Sequence, residues 1–325
     1  MTNKAKFQYV IGVDGGGTAT VTALADLNGR ILSIAKTASS NPRNLGIEKA
    51  AGNVSEGINK VLKKFFGYCS GKKLKNGEIS VVFIGMPALA EEYWNKKSEI
   101  SKRISQEIPF FLRNKLKLAS DQLVAFRAGT NQKEGVVLIV GTGCVAHGWK
   151  GEREAKASGW GWLADEGSGF WIGQKIFQAV LKDMDGRGPK TALTKLVLQE
   201  LKVDSIERLI QKVYRSKDIV KLISSFALLG LKESLQDKIV RIILKEAGQE
   251  AASAFIAVVK KLHFQKKKFP AVLSGSVCSS KSFFKVFQCY AKEIAPYADF
   301  IIVKDRPIQG AVNLALEQVK RGVLF

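Results

Sequence analysis

The chain has 325 residues, of which 46% are hydrophobic and 25% are charged. At about 100 to 200 residues per domain, this length predicts two domains with sizeable cores, and the composition excludes a wholly disordered or fibrous protein. The apolar run before Asp14 is too short for a signal-peptide core, and no later apolar stretch is long enough to span a bilayer. We therefore expect a cytoplasmic protein without membrane contact.

The net charge is strongly positive, at +22 from 51 basic and 29 acidic residues. Such a charge attracts anions in general, including nucleotides, acidic metabolites and nucleic acid. The sequence contains no recognition helix, zinc finger or aromatic RNA-binding pattern that would give nucleic-acid specificity. A solvated lysine-rich surface is the simpler interpretation, and we expect no specific nucleic-acid partner.

The four cysteines, Cys69, Cys144, Cys278 and Cys289, include no CxxC pair, and the chain has only two histidines. A structural zinc site needs ligands in closer pairs. Reduced thiols, as in a cytosolic protein, are the better interpretation.

In the first part of the chain, alternating apolar residues and glycine-rich turns predict two or three strands within residues 7–35. Asn28 and Gly29 form a typical hairpin turn between two of them. Helical apolar spacing follows in residues 47–66. The segment ISVVFIGMP then predicts a buried strand, residues 91–108 a helix, and KLKLAS a strand that leads into Asp121.

A second strand, glycine turn and strand occupies residues 136–150, VVLIVGTGCVAHGWK. Compared with VIGVDGGGTATVTALA near the start, it is a degenerate second copy, so each half of the chain contains one. Helices dominate residues 171–264, after which the pattern is strand, helix, strand and a final helix that follows Pro307. The predicted fold class is α/β, in two domains that share an interface with a cleft.

Glycine turns between strands expose backbone N–H groups, because no Cβ blocks a ligand and because glycine tolerates positive φ. Several such donors form an anion site. VDGGGT is neither a Walker A loop nor a dinucleotide fingerprint, since no GK[ST] ends it and a strand follows. Asp14 beside this turn suits Mg²⁺, although a tight hairpin with a solvent-facing aspartate is the alternative. The GTG turn, with the Thr142 hydroxyl as a further donor, favours a pair of turns that bind successive phosphates of one nucleotide.

The segment ASGWGWLADEGSGFWIG combines five glycines and three tryptophans with the adjacent acids Asp165 and Glu166. Carboxylates accept hydrogen bonds from vicinal hydroxyls and aromatic rings cover apolar sugar faces, so this composition favours a sugar-binding loop. The alternative is a helix N-terminus that residues 165–168 cap. Asp121 also allows two interpretations, an N-cap or a general base at a strand end.

Seven motifs occur in order along the chain: VDGGGT, SSNPRNLG, ASDQLVAF, VGTG, GWGWLADEGSGFWIG, LSGSV and PIQGAVNLA. Together they resemble the N-acetylglucosamine kinase family, which is grouped with the activator ATPases of 2-hydroxyacyl-CoA dehydratases in the sugar kinase, actin and heat-shock ATPase superfamily. The resemblance covers nearly the whole chain. Its most specific part is GWGWLADEGSGFWIG, whereas VDGGGT alone indicates only the superfamily.

The resemblance implies two ribonuclease-H-like, actin-like ATPase domains that flank a nucleotide and sugar cleft, usually in a homodimer. The expected domains are residues 1–124, joined by a C-terminal helix at 308–325, and residues 125–307, which include a helical insertion. The implied reaction transfers a phosphoryl group from ATP, with Mg²⁺, to the 6-hydroxyl of an amino sugar.

The resemblance also implies roles for single residues. Asp121 would be the catalytic base and Asp14 the Mg²⁺ ligand. Phosphate or adenosine contacts would come from Gly15, Gly16, Gly17, Thr18, Gly141, Thr142, Gly143 and Gly275. Sugar contacts would come from Asn41, Gly161, Asp165 and Glu166.

Departures from the family pattern leave the substrate open. Ala164 stands where the family often has glycine before DEG, and Ser276 replaces the second glycine of GGV. N-acetylglucosamine, N-acetylmuramic acid and glucosamine all remain candidates, and Arg43 either pairs with the lactyl carboxylate of N-acetylmuramic acid or is simply exposed. An activator ATPase would instead need two cysteines per chain near a subunit interface for a bridging iron–sulfur cluster, and only Cys144 lies near a nucleotide loop.

Overall fold

Two five-stranded sheets organise the chain, one in each of two units. Unit 1 comprises residues 1–131 and 305–325, and unit 2 comprises residues 132–304. The structure is a computed structural model that describes residues 8–69, 78–90, 93–232, 236–303 and 307–322. Parts of the predicted elements, at residues 7, 91–92, 233–235, 304–305 and 323–325, lie outside the described residues.

The strands and helices follow one another in an α/β order. The strands are β1 (Tyr9–Gly15), β2 (Ala19–Asp26), β3 (Ile31–Ala38), β4 (Ile79–Met86), β5 (Leu116–Ser120), β6 (Gly135–Val140), β7 (Cys144–Lys150), β8 (Arg153–Ser158), β9 (Phe269–Ser274) and β10 (Ala298–Ile302). The helices are α1 (Pro42–Leu62), α2 (Lys97–Glu107), α3 (Asp121–Gly129), α4 (Gly169–Met184), α5 (Ala192–Leu201), α6 (Ile206–Tyr214), α7 (Ile219–Lys232), α8 (Lys238–Lys261), α9 (Lys281–Ile294) and α10 (Ile308–Lys320).

The two sheets have the same connectivity. In unit 1 the strand order is β3-β2-β1-β4-β5, with antiparallel pairs among the first three strands and parallel pairs from β1 to β4 and from β4 to β5. In unit 2 the order is β8-β7-β6-β9-β10 with the same alternation of pair types. The predicted internal repeat therefore extends beyond the glycine hairpins to both whole sheets.

The sequence predicted most elements but missed β8. Its sequence, REAKAS, contains no β-branched or aromatic residue, and it forms the edge of its sheet. The helical spacing in residues 47–66 corresponds to the regular part of α1, because Gly46 adopts a φ of 75° and interrupts the helix. The boundary between the units lies after α3, whereas the expected boundary at residue 124 would divide that helix.

The central strand β1 is buried on both faces of its sheet. Ile11 and Val13 join the core that α1 and α2 cover, and Val10 joins a second core formed with α3 and α10. Since side chains alternate along a strand, Asp14 points to the same face as Val10, the face on which α3 and α10 pack.

Close backbone contact fixes α10 in unit 1. A Cβ at Gly12 of β1 would lie 2.7 Å from the amide nitrogen of Val312, and one at Gly310 would lie 2.0 Å from the carbonyl oxygen of Val124 in α3. Arg127 of α3 also forms an ion pair with Glu317 of α10. The final helix is thus bound to unit 1 through contacts that leave no space for a side chain.

In the part of the chain that the structure describes, none of the helices is long and apolar enough to cross a membrane.

Replacing Gly310 with alanine should destabilise unit 1, because the new methyl group would overlap the Val124 carbonyl oxygen. We expect a loss of about 1–3 kcal/mol, the usual cost of overpacking, measured by urea unfolding. Gly52→Ala is the matched control, because its nearest neighbour is the Glu107 carboxylate at 3.6 Å. Equal midpoints for the two variants would contradict this account of α10.

Candidate functional site

The carboxyl ends of the parallel strands of unit 1 bring two aspartates to one edge. Asp14 lies near the end of β1, where it pairs with Gly85 of β4. Ser120 ends β5 beside Met86 of β4, and Asp121 is the first residue of α3. Asp14 and Asp121, distant in sequence, therefore meet at the edge where ligands bind in open α/β sheets.

The electrostatics of this edge favour a cation. Burial, and secondly the negative charge of Asp121, raise the pKa of Asp14 from 3.8 to about 7. Although some of its surface remains accessible, the surrounding protein is dense enough to desolvate the carboxylate, and among the described residues none donates a hydrogen bond to it. A carboxylate that lacks protein donors and faces a second carboxylate suits a hard cation such as Mg²⁺, which binds one or two carboxylates and retains several waters.

Asp121 does not cap its helix. Ser120 is the N-cap of α3 and accepts a hydrogen bond from the Leu123 amide at 3.3 Å. The Asp121 Oδ1 accepts one from the Gln122 amide at 3.1 Å. The alternative that treated Asp121 as a cap is therefore wrong, and this half-buried carboxylate stands at the end of a strand beside Asp14.

The turn between β1 and β2 offers free donors. Gly16 closes it by donating to the Ala19 carbonyl at 3.0 Å. Gly17 and Thr18 are exposed, and their amides have no hydrogen-bond partner within the described residues. A Cβ at Gly17 would meet nothing within 4 Å, whereas one at Gly15 would lie 2.3 Å from the Ser40 hydroxyl.

The sequence suggested two reasons for the glycines of both turns, a missing Cβ and tolerance of positive φ, and only the first applies. None of those at positions 15–17, 141 and 143 adopts positive φ. Gly15 is required by close contact, and Gly17 leaves open space. The donors are accessible because a Cβ is missing, and left-handed backbone plays no part.

Asn41 lies at the same edge of unit 1 and caps α1. Its side-chain oxygen accepts from the Arg43 amide at 3.0 Å. The Ser39 hydroxyl links it to the glycine turn, since it donates to the Gly16 carbonyl at 3.0 Å and accepts from the Asn41 amide at 3.1 Å. Sequence reasoning did not single out Ser39, and only this pair of contacts identifies it.

In unit 2, the turn Gly141-Thr142-Gly143 occupies the equivalent position between β6 and β7. Its carbonyls bind the N-terminus of α4: Gly141 accepts from the Gly169 amide at 2.7 Å, and Thr142 accepts from the Phe170 amide at 3.2 Å. A Cβ at Gly141 would meet nothing within 4 Å. The turn is held from behind by its carbonyls, so its open side remains accessible.

The Asp165 carboxylate is occupied by protein donors and is only 3% exposed. Its Oδ2 accepts a hydrogen bond from the Cys144 amide at 3.2 Å, directly after the turn at residues 141–143. Its Oδ1 accepts from the Ser158 hydroxyl at 3.2 Å and from the amides of Gly159, Trp160 and Gly161 at 2.9, 2.8 and 3.3 Å. The sequence suggested that Asp165 binds sugar hydroxyls. In this structure its carboxylate accepts hydrogen bonds from protein groups instead, and it connects residues 158–161 with the end of the turn at residues 141–143.

Two other predicted site residues of unit 2, Gly275 and Glu166, lie outside the set of hydrogen bonds that Asp165 accepts. Gly275 has a φ of 101°, and a Cβ there would lie 2.3 Å from the Val140 carbonyl oxygen, so it packs directly behind the 141–143 turn. Glu166 is exposed and turned towards α8, where its charge helps to raise the pKa of Glu250, after burial of that group. Ser168, rather than Asp165, is the N-cap of α4.

Two cysteines lie inside unit 2. Cys144 and Cys278 are buried free thiols, and burial raises the pKa of Cys278 to about 12 and that of Cys144 well above its usual range. Thiols in the interior are poorly placed to ligate a cluster between subunits. Cys289 is exposed on α9, and the side chain of Cys69 lies outside the described residues.

Comparison with known proteins shows similarity over nearly the whole chain. A model described as the BadF/BadG/BcrA/BcrD ATPase family matches residues 11–315. The chain is 32% identical to an N-acetyl-D-glucosamine kinase of Dictyostelium discoideum, over 96% of this chain and 99% of that protein. It is also 32% identical to an N-acetylmuramic acid/N-acetylglucosamine kinase of Clostridium acetobutylicum, over 95% of this chain and 98% of that protein.

The fold has a counterpart among solved structures. A crystal structure of a candidate N-acetylglucosamine kinase from Chromobacterium violaceum superposes with a TM-score of 0.72 at 22% identity, covering 95% of this chain and 99% of that one. The predicted α/β fold class, with one mixed sheet in each of two units, is confirmed.

The raised pKa of Asp14 predicts how stability depends on pH. Because its pKa is about 7 in the folded protein and near 3.8 otherwise, the folded state holds a proton that the unfolded chain releases. The resulting stabilisation is complete below about pH 4 and is lost as the pH rises through about 7. Asp14→Asn removes the ionised group, so its thermal midpoint relative to wild type should rise between pH 5 and pH 8.

The measurement is thermal unfolding of both proteins without nucleotide or divalent cation. Asp299→Asn, at the exposed residue of strand β10, controls for the loss of one negative charge. A difference between Asp14→Asn and wild type that stays constant over this pH range would contradict the assignment.

Proposed function

The chain belongs to the BadF/BadG/BcrA/BcrD ATPase family, and on that premise we propose that it is an ATP-dependent kinase that phosphorylates the 6-hydroxyl of an amino sugar. The acceptor is N-acetylglucosamine, N-acetylmuramic acid or both, because two relatives with those activities in their names match nearly the whole chain. The observation that carries the proposal is the Asp14 and Asp121 pair, which combines a cation ligand and a base at one edge.

In this proposal each of the two glycine turns is a phosphate-binding loop. The exposed amides of Gly17 and Thr18 provide donors in unit 1, and the turn at residues 141–143 provides them in unit 2. Gly275, directly behind the second turn, would lie against the adenosine. Phosphoryl transfer depends chiefly on positioning and charge stabilisation, and backbone amides fixed by packing supply both without reorganisation.

Asp14 would hold Mg²⁺. When bound, the ion neutralises charge on the phosphate oxygens. Asp14 would bind the ion more tightly because its ionised carboxylate is poorly solvated when no cation is present.

Asp121 would accept the proton of the sugar hydroxyl. It is half-buried and begins α3 at the edge where Asp14 lies. Asn41 has its side-chain oxygen occupied as an N-cap, so its NH₂ group is the part left to donate to a sugar oxygen. Gly161 and Glu166 are retained as sugar contacts in the proposal, while Asp165 is assigned to loop support.

Two further parts of the proposal concern the setting of the enzyme. We place it in the cytoplasm, where ATP and reduced thiols coexist, and we expect it to act as a homodimer.

A coupled ADP-release assay with N-acetylglucosamine, N-acetylmuramic acid, glucosamine and glucose tests the activity. We expect turnover with at least one acetylated amino sugar. Asp121→Asn should lower kcat by about 10² to 10⁴, the usual contribution of a general base, with a much smaller change in KM. Asp299→Asn serves as the charge control. If no hexosamine is turned over, the kinase assignment is wrong. If Asp121→Asn keeps full activity, only the assignment of Asp121 as the base is wrong.

A pair of glycine variants separates binding from stability at the second turn. Gly141→Ala adds a methyl group to open space, so its thermal midpoint should match wild type while KM for ATP rises on the order of tenfold. Gly275→Ala should instead cost about 1–3 kcal/mol of stability, since its φ of 101° and the Val140 carbonyl at 2.3 Å both exclude a side chain. An unchanged KM for ATP in Gly141→Ala would show that this turn does not contact phosphate.

A further inference from the structure

The edge of the unit 2 sheet opposite the turn at residues 141–143 is rich in basic residues. That turn follows the carboxyl end of β6, whereas β7, antiparallel to β6, ends at Lys150 on the other side of the sheet. Lys150 pairs there with Arg153, the first residue of β8. Since β9 is parallel to β6, the three consecutive lysines at residues 266–268 that precede β9 lie at this edge as well.

Helix α8 ends at the same edge, where two basic side chains of the sheet bind its last carbonyls. The Lys150 ammonium donates to the carbonyls of Leu262 and His263, both at 2.8 Å, and the Arg153 guanidinium donates to that of Lys261 at 2.7 Å. Cations at a helix C-terminus neutralise its partial negative charge. These two cations therefore stabilise the fold. Five exposed lysines remain, which we call the basic edge: Lys260, Lys261, Lys266, Lys267 and Lys268.

Carboxylates do not neutralise the basic edge. Within the part of the chain that the structure describes, none of its five lysines forms an ion pair. Glu134, the nearby acid, accepts a hydrogen bond from the Gly151 amide at 2.9 Å. Partial burial lowers the pKa of Lys150, and the positive charges of Lys267 and Arg153 lower it further. Like charges held together in this way create a positive potential that attracts polyanions.

The composition of the basic edge favours a nucleic-acid backbone over a membrane. Leu262 and Phe264, the large apolar residues between its lysines, are only 1% and 2% exposed. The segment therefore presents no apolar side chain that could insert into a bilayer, and stable membrane attachment needs a second signal besides charge. Nucleic acid needs no such signal, because contacts between lysines and phosphates supply essentially all of the affinity of sequence-independent binding.

We propose that the basic edge binds the phosphate backbone of nucleic acid without sequence preference. Ammonium groups act as point charges and do not read bases, so this binding agrees with the lack of a recognition motif in the sequence. It is a function separate from phosphoryl transfer, since the basic edge and the turn at residues 141–143 lie at opposite edges of the unit 2 sheet.

The test is fluorescence anisotropy of a labelled DNA duplex of random sequence, titrated with the full chain over a series of KCl concentrations. We expect wild type to bind with a Kd of about 10⁻⁴ to 10⁻⁶ M near physiological salt. Each phosphate contact contributes about −0.9 to the slope of log K against log salt. The triple variant Lys266→Gln, Lys267→Gln, Lys268→Gln should therefore have a slope less steep by about 2 to 3.

A matched control removes three exposed lysines on and between α6 and α7: Lys212→Gln, Lys217→Gln, Lys221→Gln. It changes the net charge by the same amount and should leave the slope near that of wild type. A double variant of the helix end, Lys260→Gln, Lys261→Gln, should reduce the steepness by about 2. All three variants alter exposed side chains, so their thermal midpoints should match wild type.

Three results would overturn the proposal. If the control triple weakens binding as much as the triple at residues 266–268, total charge is responsible and the basic edge is not the site. If the duplex does not bind at low salt and phosphatidylserine vesicles sediment the protein through the same lysines, the basic edge is a membrane surface. If one sequence binds far more tightly than its scrambled version, the contact is not sequence-independent. None of these results affects the kinase assignment, which the ADP-release assay tests by itself.

Discussion

Both units depend on backbone contacts so close that only glycine can make them. In unit 1, Gly12 and Gly310 let α10 lie directly on β1 and α3, which joins the end of the chain to the sheet at its beginning. In unit 2, Gly275 packs on the Val140 carbonyl behind the second turn. Because protein interiors are dense and deform little, these contacts fix the positions of the sheet edges. The candidate site residues at those edges are therefore held in place as well.

The two sheets share a topology, but the carboxylates of Asp14 and Asp165 at their edges have opposite surroundings. Asp14 is desolvated, faces Asp121 and lacks donors among the described residues, so its ionised form is unfavourable until a cation arrives. Asp165 is more fully buried but receives five hydrogen bonds, so its charge stabilises the loops around it. The first arrangement favours ligand binding at the expense of stability, as functional sites commonly do, and the second provides the rigid frame that such a site requires.

Under the proposed function, the glycine turns and the Asp14 and Asp121 edge serve the nucleotide and the transferred phosphoryl group. The exposed side chains of Trp160, Trp162 and Leu163 lie on a separate loop, which Asp165 joins to the second turn. This division between elements is consistent with function residing in sites placed on a fold.

The sequence by itself determined the order of strands and helices, the internal repeat and the two glycine turns. Alternation, helical spacing and turn residues are local properties that survive without tertiary contacts. It missed β8, whose residues lack strand preference and pair only because β7 is already in place. Only the tertiary structure decided that Asp14 is desolvated beside Asp121 and that Asp165 is enclosed by donors. A carboxylate's pKa and partners depend on groups brought together by folding, and no spacing in the sequence encodes them.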